Sequence, residues 1–269
     1  MTLKYRAAVL HQAGKPLAIE QVSSGDPAPT DVVVRVRAAG LCHTDLEVID
    51  GSLRYPLPMI LGHEAAGVVE QIGPEVDTVK VGDHVILSWN PHCGHCFQCN
   101  RGQPILCDTY LGEGPKGLHF DGRSKASLGD GVELKHLMFL GAFAEICTVP
   151  AQQAIVVPKE IPFDRACLIG CGVMTGVGAA LNVADIAYGD TVMVIGCGAV
   201  GLAALQGAAH GERQTPGPRG ICAIRDRRTR RRRGAGGGRP SGCLPPDRGG
   251  RARRRPGDMA RQDRCRQRR

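Results

Sequence analysis

Three separated stretches carry the side chains most able to do chemistry: Cys42-His43-Thr44-Asp45, Gly62-His63-Glu64 and Cys171. Two thiols, an imidazole and a carboxylate are the donor set of a borderline-soft divalent cation, with zinc the first candidate. About three firm ligands drawn from distant positions describe an open, catalytic site that keeps one place for water or substrate. Taken singly, Cys42 reads equally as an inert buried thiol and His63 as a satisfied core histidine.

A second cluster is local. Cys93, Cys96 and Cys99 stand in two consecutive C-x2-C steps, and Cys107 follows in the same loop. Four thiolates so close in sequence match the closed tetrahedral cage of a structural zinc site, with sulfurs about 2.3 Å from the metal. An iron–sulfur cluster also takes four thiolates and is the competing reading. His92 and His95 lie nearby and read as loop residues, since four thiolates already complete the cage.

The chain that must position these groups has 269 residues, enough for a sizeable core and two domains. Its charge is divided. Residues 211–269 hold 20 Arg, 11 Gly, 6 Pro, no Lys and five acids, a net of +15, whereas the preceding part carries −7. The whole-chain value of +8 describes neither. Twelve cysteines in so long and apolar a chain argue against a small secreted disulfide scaffold. Met1 to Arg6 lacks a signal-peptide core, and no charge-free apolar run of about 20 residues is present. A cytoplasmic protein without membrane contact is expected.

The first part reads as β structure. Ala7–Leu10, Leu17–Val22 and Asp31–Ala38 are strand-like runs separated by Gly14, Gly25, Pro27 and Pro29. Val32, Val34 and Val36 recur with a period of two, which puts three valines on one face. Strand signals return at Ala65–Ile72, at His84–Leu87 after a Gly-Asp turn, and at Phe143–Val149. The stretch 111–138 is polar and Gly-containing and reads as a surface excursion. Together these runs predict a small, Gly-rich β-barrel.

On these residues the chain resembles the zinc-dependent medium-chain alcohol dehydrogenases. Gly62-His63-Glu64-x-x-Gly67, with Gly73 and Val76 following, matches that family's zinc signature, and the four-cysteine loop stands where the family carries its structural zinc. The likeness runs from about Lys4 to His210. It implies an α/β plus β fold: a GroES-like catalytic barrel over residues 1–160, then a linker helix and the first strand–helix unit of a Rossmann (doubly wound) domain over 161–210. A disordered Arg/Gly/Pro-rich tail is expected over 211–269.

Carried over position by position, the resemblance implies two zinc ions. Cys42, His63 and Cys171 would hold the catalytic one, with Glu64 able to enter the shell, and Cys93, Cys96, Cys99 and Cys107 the structural one. Asp45 resembles the acid that orients His63, a role with a physical basis, because a carboxylate on the second ring nitrogen fixes tautomer and raises basicity. Thr44 would pass on the alcohol proton. Glu47 stands where well-known relatives continue the relay with histidine. Trp89 resembles an aromatic lining the substrate pocket, and its bland reading is an ordinary core ring. The implied reaction is reversible oxidation of a small-molecule alcohol to an aldehyde or ketone with NAD, in a homo-oligomer.

Asp190–Ile195 is a buried-strand pattern followed by Gly196-Cys-Gly198-Ala-Val200-Gly201 and a helical run over Leu202–Ala209. Flanked this way, the glycines fit a dinucleotide turn, where the backbone approaches a pyrophosphate at a helix N-terminus. By resemblance His43 and Thr175 would also touch the cofactor. Thr175 reads alternatively as a helix hydroxyl bonded to its own backbone. Beyond His210 periodicity stops, and no convincing strand surrounds Asp226, so the unit reads as incomplete and the tail as a frameshift product or a damaged gene model. Two rival readings follow: a zinc-binding pseudoenzyme, and a nonspecific nucleic-acid binder through Arg230–Arg233 and Arg253–Arg255.

Overall fold

The computed structural model describes residues 2–184, 186, 190–213 and 223–225, with side chains excepted at 210–213 and 223–225. Alternation builds its first strands. Along β1 (Leu3–Leu10), Tyr5, Ala7 and Val9 are buried while Lys4 and Arg6 face solvent, and β2 (Ala18–Ser24) returns antiparallel with Val22 opposite Tyr5. Next come β3 (Asp31–Gly40), α1 (His43–Asp50), β4 (Met59–Ile60), β5 (Glu64–Ile72) and β6 (His84–Leu87). The short helices α2 (Phe97–Asn100) and α3 (Asp108–Glu113) form the cysteine lobe. The chain then returns through β7 (Ala126–Leu128), β8 (Glu133–His136), β9 (Ile146–Pro150) and β10 (Ala154–Val156).

These strands make two layers. A closed barrel runs β1-β2-β7-β8-β4, and beside it a five-stranded sheet runs β10-β6-β5-β3-β9. Strand β3 serves both. Its Val32 and Val34, with Val36 against them, pack with Val69, Leu87 and Val149, whereas Val33 points the other way onto Tyr5, Val9 and Ile60. Each fully buried aliphatic side chain of this kind contributes about 1.5–3 kcal/mol. The expected period of two on β3 is thus present, and it explains why one strand can hold two cores together.

The stretch 111–138 departs from its reading as a surface excursion. It supplies β7 and β8, without which the barrel would not close, and buries Leu134, Leu137, His119 and His136. The signal was weak because its strands are short and one of the three residues they bury is histidine.

The last elements are α4 (Phe163–Ala166), α5 (Gly172–Gly178), β11 (Met193–Ile195), α6 (Ala199–Arg213) and β12 (Ala223–Arg225). Helices α5 and α6 lie in close contact: a Cβ added at Gly176 would sit 2.2 Å from the Val200 carbonyl oxygen. Strand β12 pairs parallel with β11, Val194 opposite Ile224. A strand therefore does follow the helix, three residues long, where the sequence offered none that was convincing. The helix also runs past Ala209 to Arg213. Asp226 and the rest of the expected tail lie outside the described residues. Among the described residues no single helix is long and apolar enough to cross a membrane.

Candidate metal centres and the glycine turn

Cys42 is the residue before α1, in extended conformation, so its side chain projects from the helix entrance. One turn of helix brings Asp45 back beneath it, and the Cys42 amide donates to Asp45 Oδ2 at 3.1 Å. The other oxygen, Oδ1, accepts from the Gly62 amide at 3.0 Å and lies 3.2 Å from His63 Nδ1. Asp45 and His63 are each 1% exposed. A single buried carboxylate thus ties the Cys42 helix, the Gly62 turn and the His63 ring. Gly62 has φ +90, and a Cβ there would come within 2.5 Å of Phe143, so only glycine makes this turn.

With Nδ1 committed to Asp45, His63 Nε2 is buried without an oxygen or nitrogen partner. The ring, Cys42 and Cys171 offer donor atoms that all lie within 4.8 Å of one another. Burial disfavours charge on this imidazole, yet contact with Asp45 and the Cys171 thiol lifts its pKa to about 11. Positive charge is favoured at this spot. Two sulfurs, an oriented imidazole and a local demand for a cation fit a divalent metal such as zinc.

Glu64 falls outside that trio. It is buried, and its Oε1 accepts from the Gly172 amide at 2.9 Å, one residue past Cys171. Nothing local in the sequence signalled this tie, which spans the chain from β5 to α5.

In the lobe, the sulfurs of Cys93, Cys96, Cys99 and Cys107 also lie within 4.8 Å of one another. Backbone amides point at them: Cys96 N to Cys93 Sγ at 3.3 Å, Cys93 N to Cys107 Sγ at 3.3 Å, and Tyr110 N to Cys107 Sγ at 3.5 Å. Desolvation works against ionising Cys93, but hydrogen bonds from Thr109 and backbone amides pull its pKa down to about 6. Burial and the neighbouring sulfurs push Cys99 up to about 12. Four thiols in one small volume do not all ionise unless a cation joins them, and that fits a metal cage. His95 turns away, its Nδ1 donating to the Cys93 carbonyl at 2.8 Å.

Below the lobe lies a part of the site's support that the sequence did not reveal. His119 stacks on Phe139 with ring centroids 5.0 Å apart and meets His136 edge-on at 5.5 Å, while Phe139 packs against Cys107 and Tyr110. Both histidines are held neutral by burial: His136 is lowered to about 4 and His119 well below its usual value.

The other expected residues are placed as follows. Thr44 is half-buried in the first turn of α1. Glu47 lies one turn from His43, Oε1 to Nε2 3.7 Å, and the His43 side chain is 76% exposed. Trp89 packs against the sheet core with a buried, unpartnered Nε1, and its carbonyl accepts from Tyr110 OH at 3.2 Å. Thr175 is exposed on α5. Between β11 and α6, Gly196 has φ +117, Gly198 is open to solvent and Val200 is 46% exposed. Gly201 lies so close to Gly196 that a Cβ would meet its carbonyl oxygen at 2.0 Å. This tight strand–turn–helix puts a glycine turn at a helix N-terminus, the arrangement that receives a phosphate.

Comparison with known proteins agrees with this geometry. Residues 28–159 match the alcohol dehydrogenase GroES-like domain. The chain is 41% identical over 207 residues to an S-(hydroxymethyl)glutathione dehydrogenase of Saccharomyces cerevisiae, covering 77% of this chain and 54% of that protein. Over about three quarters of its length the chain is similar to alcohol dehydrogenases. An NDMA-dependent alcohol dehydrogenase of Amycolatopsis methanolica is 42% identical over 211 residues, covering 77% of this chain and 56% of the relative. An alcohol dehydrogenase zinc-binding domain protein from Burkholderia ambifaria superposes with a TM-score of 0.73 at 39% identity, over 77% of this chain and 56% of that one. The chain spans about half the length of the curated relatives it matches.

Proposed function

We propose that this chain belongs to the alcohol dehydrogenase family and is a zinc-dependent oxidoreductase that moves a hydride between a small-molecule alcohol and NAD, giving an aldehyde or ketone. The observation that carries this is the convergence of Cys42, His63 and Cys171, with Asp45 behind the imidazole. The family, and the alcohol dehydrogenases among its relatives, support the substrate class. Zinc bound by the trio supplies a Lewis acid that lowers the pKa of an alcohol hydroxyl, and NAD supplies the hydride acceptor.

The chain's own residues do the rest. Asp45 keeps a proton on Nδ1 of His63, so Nε2 presents a lone pair to the metal. Thr44, two residues from Cys42, would accept the alcohol's proton at its side-chain oxygen while releasing its own hydroxyl proton. Glu47, beside His43 at the surface, gives that proton an outlet. Cys93, Cys96, Cys99 and Cys107 hold a second, structural zinc. Amides of the Gly196–Gly201 turn would receive the pyrophosphate, His43 and Thr175 would contact the cofactor, and Trp89 would border the alcohol. All cysteines among the described residues are free thiols, which supports a reducing, cytoplasmic setting.

The test combines metal analysis of the purified chain with NADH binding and alcohol-dependent NADH formation. Two zinc ions per chain with turnover is the expected result. Two zinc ions with no NADH binding would return the pseudoenzyme reading, and one zinc that survives Cys42→Ser would refute the trio.

A further inference from the structure

Among the described residues, Glu64 is the one buried carboxylate next to the trio that the proposed chemistry leaves unused. It neighbours a metal ligand in sequence and is only 4% exposed. Among the described residues no cation pairs with it; its hydrogen bond is the 2.9 Å contact from the Gly172 amide to Oε1. Space is reserved for this geometry on the other side. Gly40, at the end of β3, lies so near that a Cβ would sit 2.2 Å from Glu64 Oε2, and a Cβ on Gly172 would lie 3.2 Å from Oε1. The carboxylate therefore lies between the end of β3 and the entrance of α5, in close approach to both.

The three ligands reach the site by unequal routes. Cys42 and His63 are joined through Asp45, which bonds the backbone on both sides. Cys171 has no share in that carboxylate. It stands at the junction between the 3-10 turn Cys167–Gly170, which packs on β3, β5 and β6, and α5, which packs on α6, so a link from the barrel to the α5 side of that junction helps place its sulfur. Glu64 Oε1 on the Gly172 amide is that link at the ligand itself.

We propose that Glu64 is a positioning residue, a tether that sets where Cys171 stands relative to Cys42 and His63 by accepting the Gly172 amide. This deepens the reading of the trio as a metal site and rests on it. The tether needs an acceptor oxygen, not a negative charge. Glutamine keeps the oxygen, alanine removes it, and Gly40→Ala forces the carboxylate out of its slot.

The experiment uses the full chain in two readouts. Amide hydrogen exchange at Gly172, resolved by fragmentation mass spectrometry, needs no metal: protection is expected in the native chain and in Glu64→Gln, with rapid exchange in Glu64→Ala and Gly40→Ala. Cobalt(II) titration then follows thiolate-to-metal absorption at the trio, with the four-cysteine cage as internal control for folding. Affinity at the trio should fall about 10–100-fold in Glu64→Ala, as is usual when an outer partner of a ligand is lost, and remain near native in Glu64→Gln. Unchanged exchange and affinity in Glu64→Ala would overturn the tether, as would a Glu64→Gln variant as impaired as Glu64→Ala. If the native chain binds no cobalt at the trio, the metal reading fails, and exchange at Gly172 still decides the tether.

Discussion

The four sulfurs of the lobe come from one loop, whereas Cys42, His63 and Cys171 arrive from the entrance of α1, the turn before β5 and the entrance of α5. The lobe is organised by its own backbone, amide to sulfur, within a few residues. The trio is organised by buried carboxylates, Asp45 and Glu64, that join segments distant in sequence. A local centre needs only its loop, while a distributed one needs the barrel, the sheet and α5 in register.

That contrast predicts opposite consequences for removing one thiol. Cys96→Ser should lose the lobe's metal and a large part of the thermal stability, since apparent binding free energies for structural zinc in small domains are about 10–16 kcal/mol. The trio should keep its metal. Cys42→Ser should lose the trio's metal and all alcohol-dependent turnover, with the melting temperature little changed. Metal content by mass spectrometry, read beside a thermal melt, checks both. Loss of both metals in either variant would break the comparison.

The same contrast explains what the sequence made legible. Spacing alone exposes Cys93, Cys96, Cys99 and Cys107, because the geometry of that cage is written in its loop. Period two on β3 exposes Val32, Val34 and Val36, because a strand's pleat is local. The Glu64–Gly172 contact and the strand Ala223–Arg225 are created by pairing across the chain, so no short window contains them. The histidines under the lobe were missed for another reason: a buried neutral imidazole behaves as an aromatic, yet the polar residues around it read as surface.

Those histidines separate the two centres by pH. Folded His136 has a pKa of about 4 against the usual 6.5, and His119 is shifted in the same direction. The unfolded chain therefore binds more protons between these values, so stability is fully present above about pH 6.5 and falls as pH drops toward 4. His136 alone accounts for about 3 kcal/mol. Urea unfolding followed through Tyr110 and its neighbours should show this slope, and His136→Gln should flatten it. A slope untouched by that variant would place the acid sensitivity at the thiolates instead.

Asp45→Asn probes the distributed centre more gently. Size is kept and the one amide oxygen can still serve Gly62 and His63, but the NH2 group then faces the Cys42 amide and the charge behind His63 is gone. Zinc affinity at the trio should fall about 10–100-fold, about 1.4–2.7 kcal/mol, with no change at the lobe. Competition with a chromogenic chelator resolves the two sites. An equal loss at the lobe would mean that Asp45 supports the whole domain, not one centre.

The smallest effect is expected where the metal half meets the glycine turn. His43 follows Cys42 directly, yet its side chain is 76% exposed, 3.7 Å from Glu47. Neighbour to a trio residue in sequence, its imidazole nevertheless faces solvent beside Glu47. Exposed charged contacts contribute about 0–1 kcal/mol, so His43→Ala should weaken NADH binding by no more than about fivefold, and less at high salt. Both metals should stay. Fluorescence titration of NADH at two ionic strengths, read beside metal content, tests this. Loss of the trio's metal would show that the first turn of α1 needs this side chain to hold Cys42, and an unchanged NADH affinity would remove His43 from the cofactor's path.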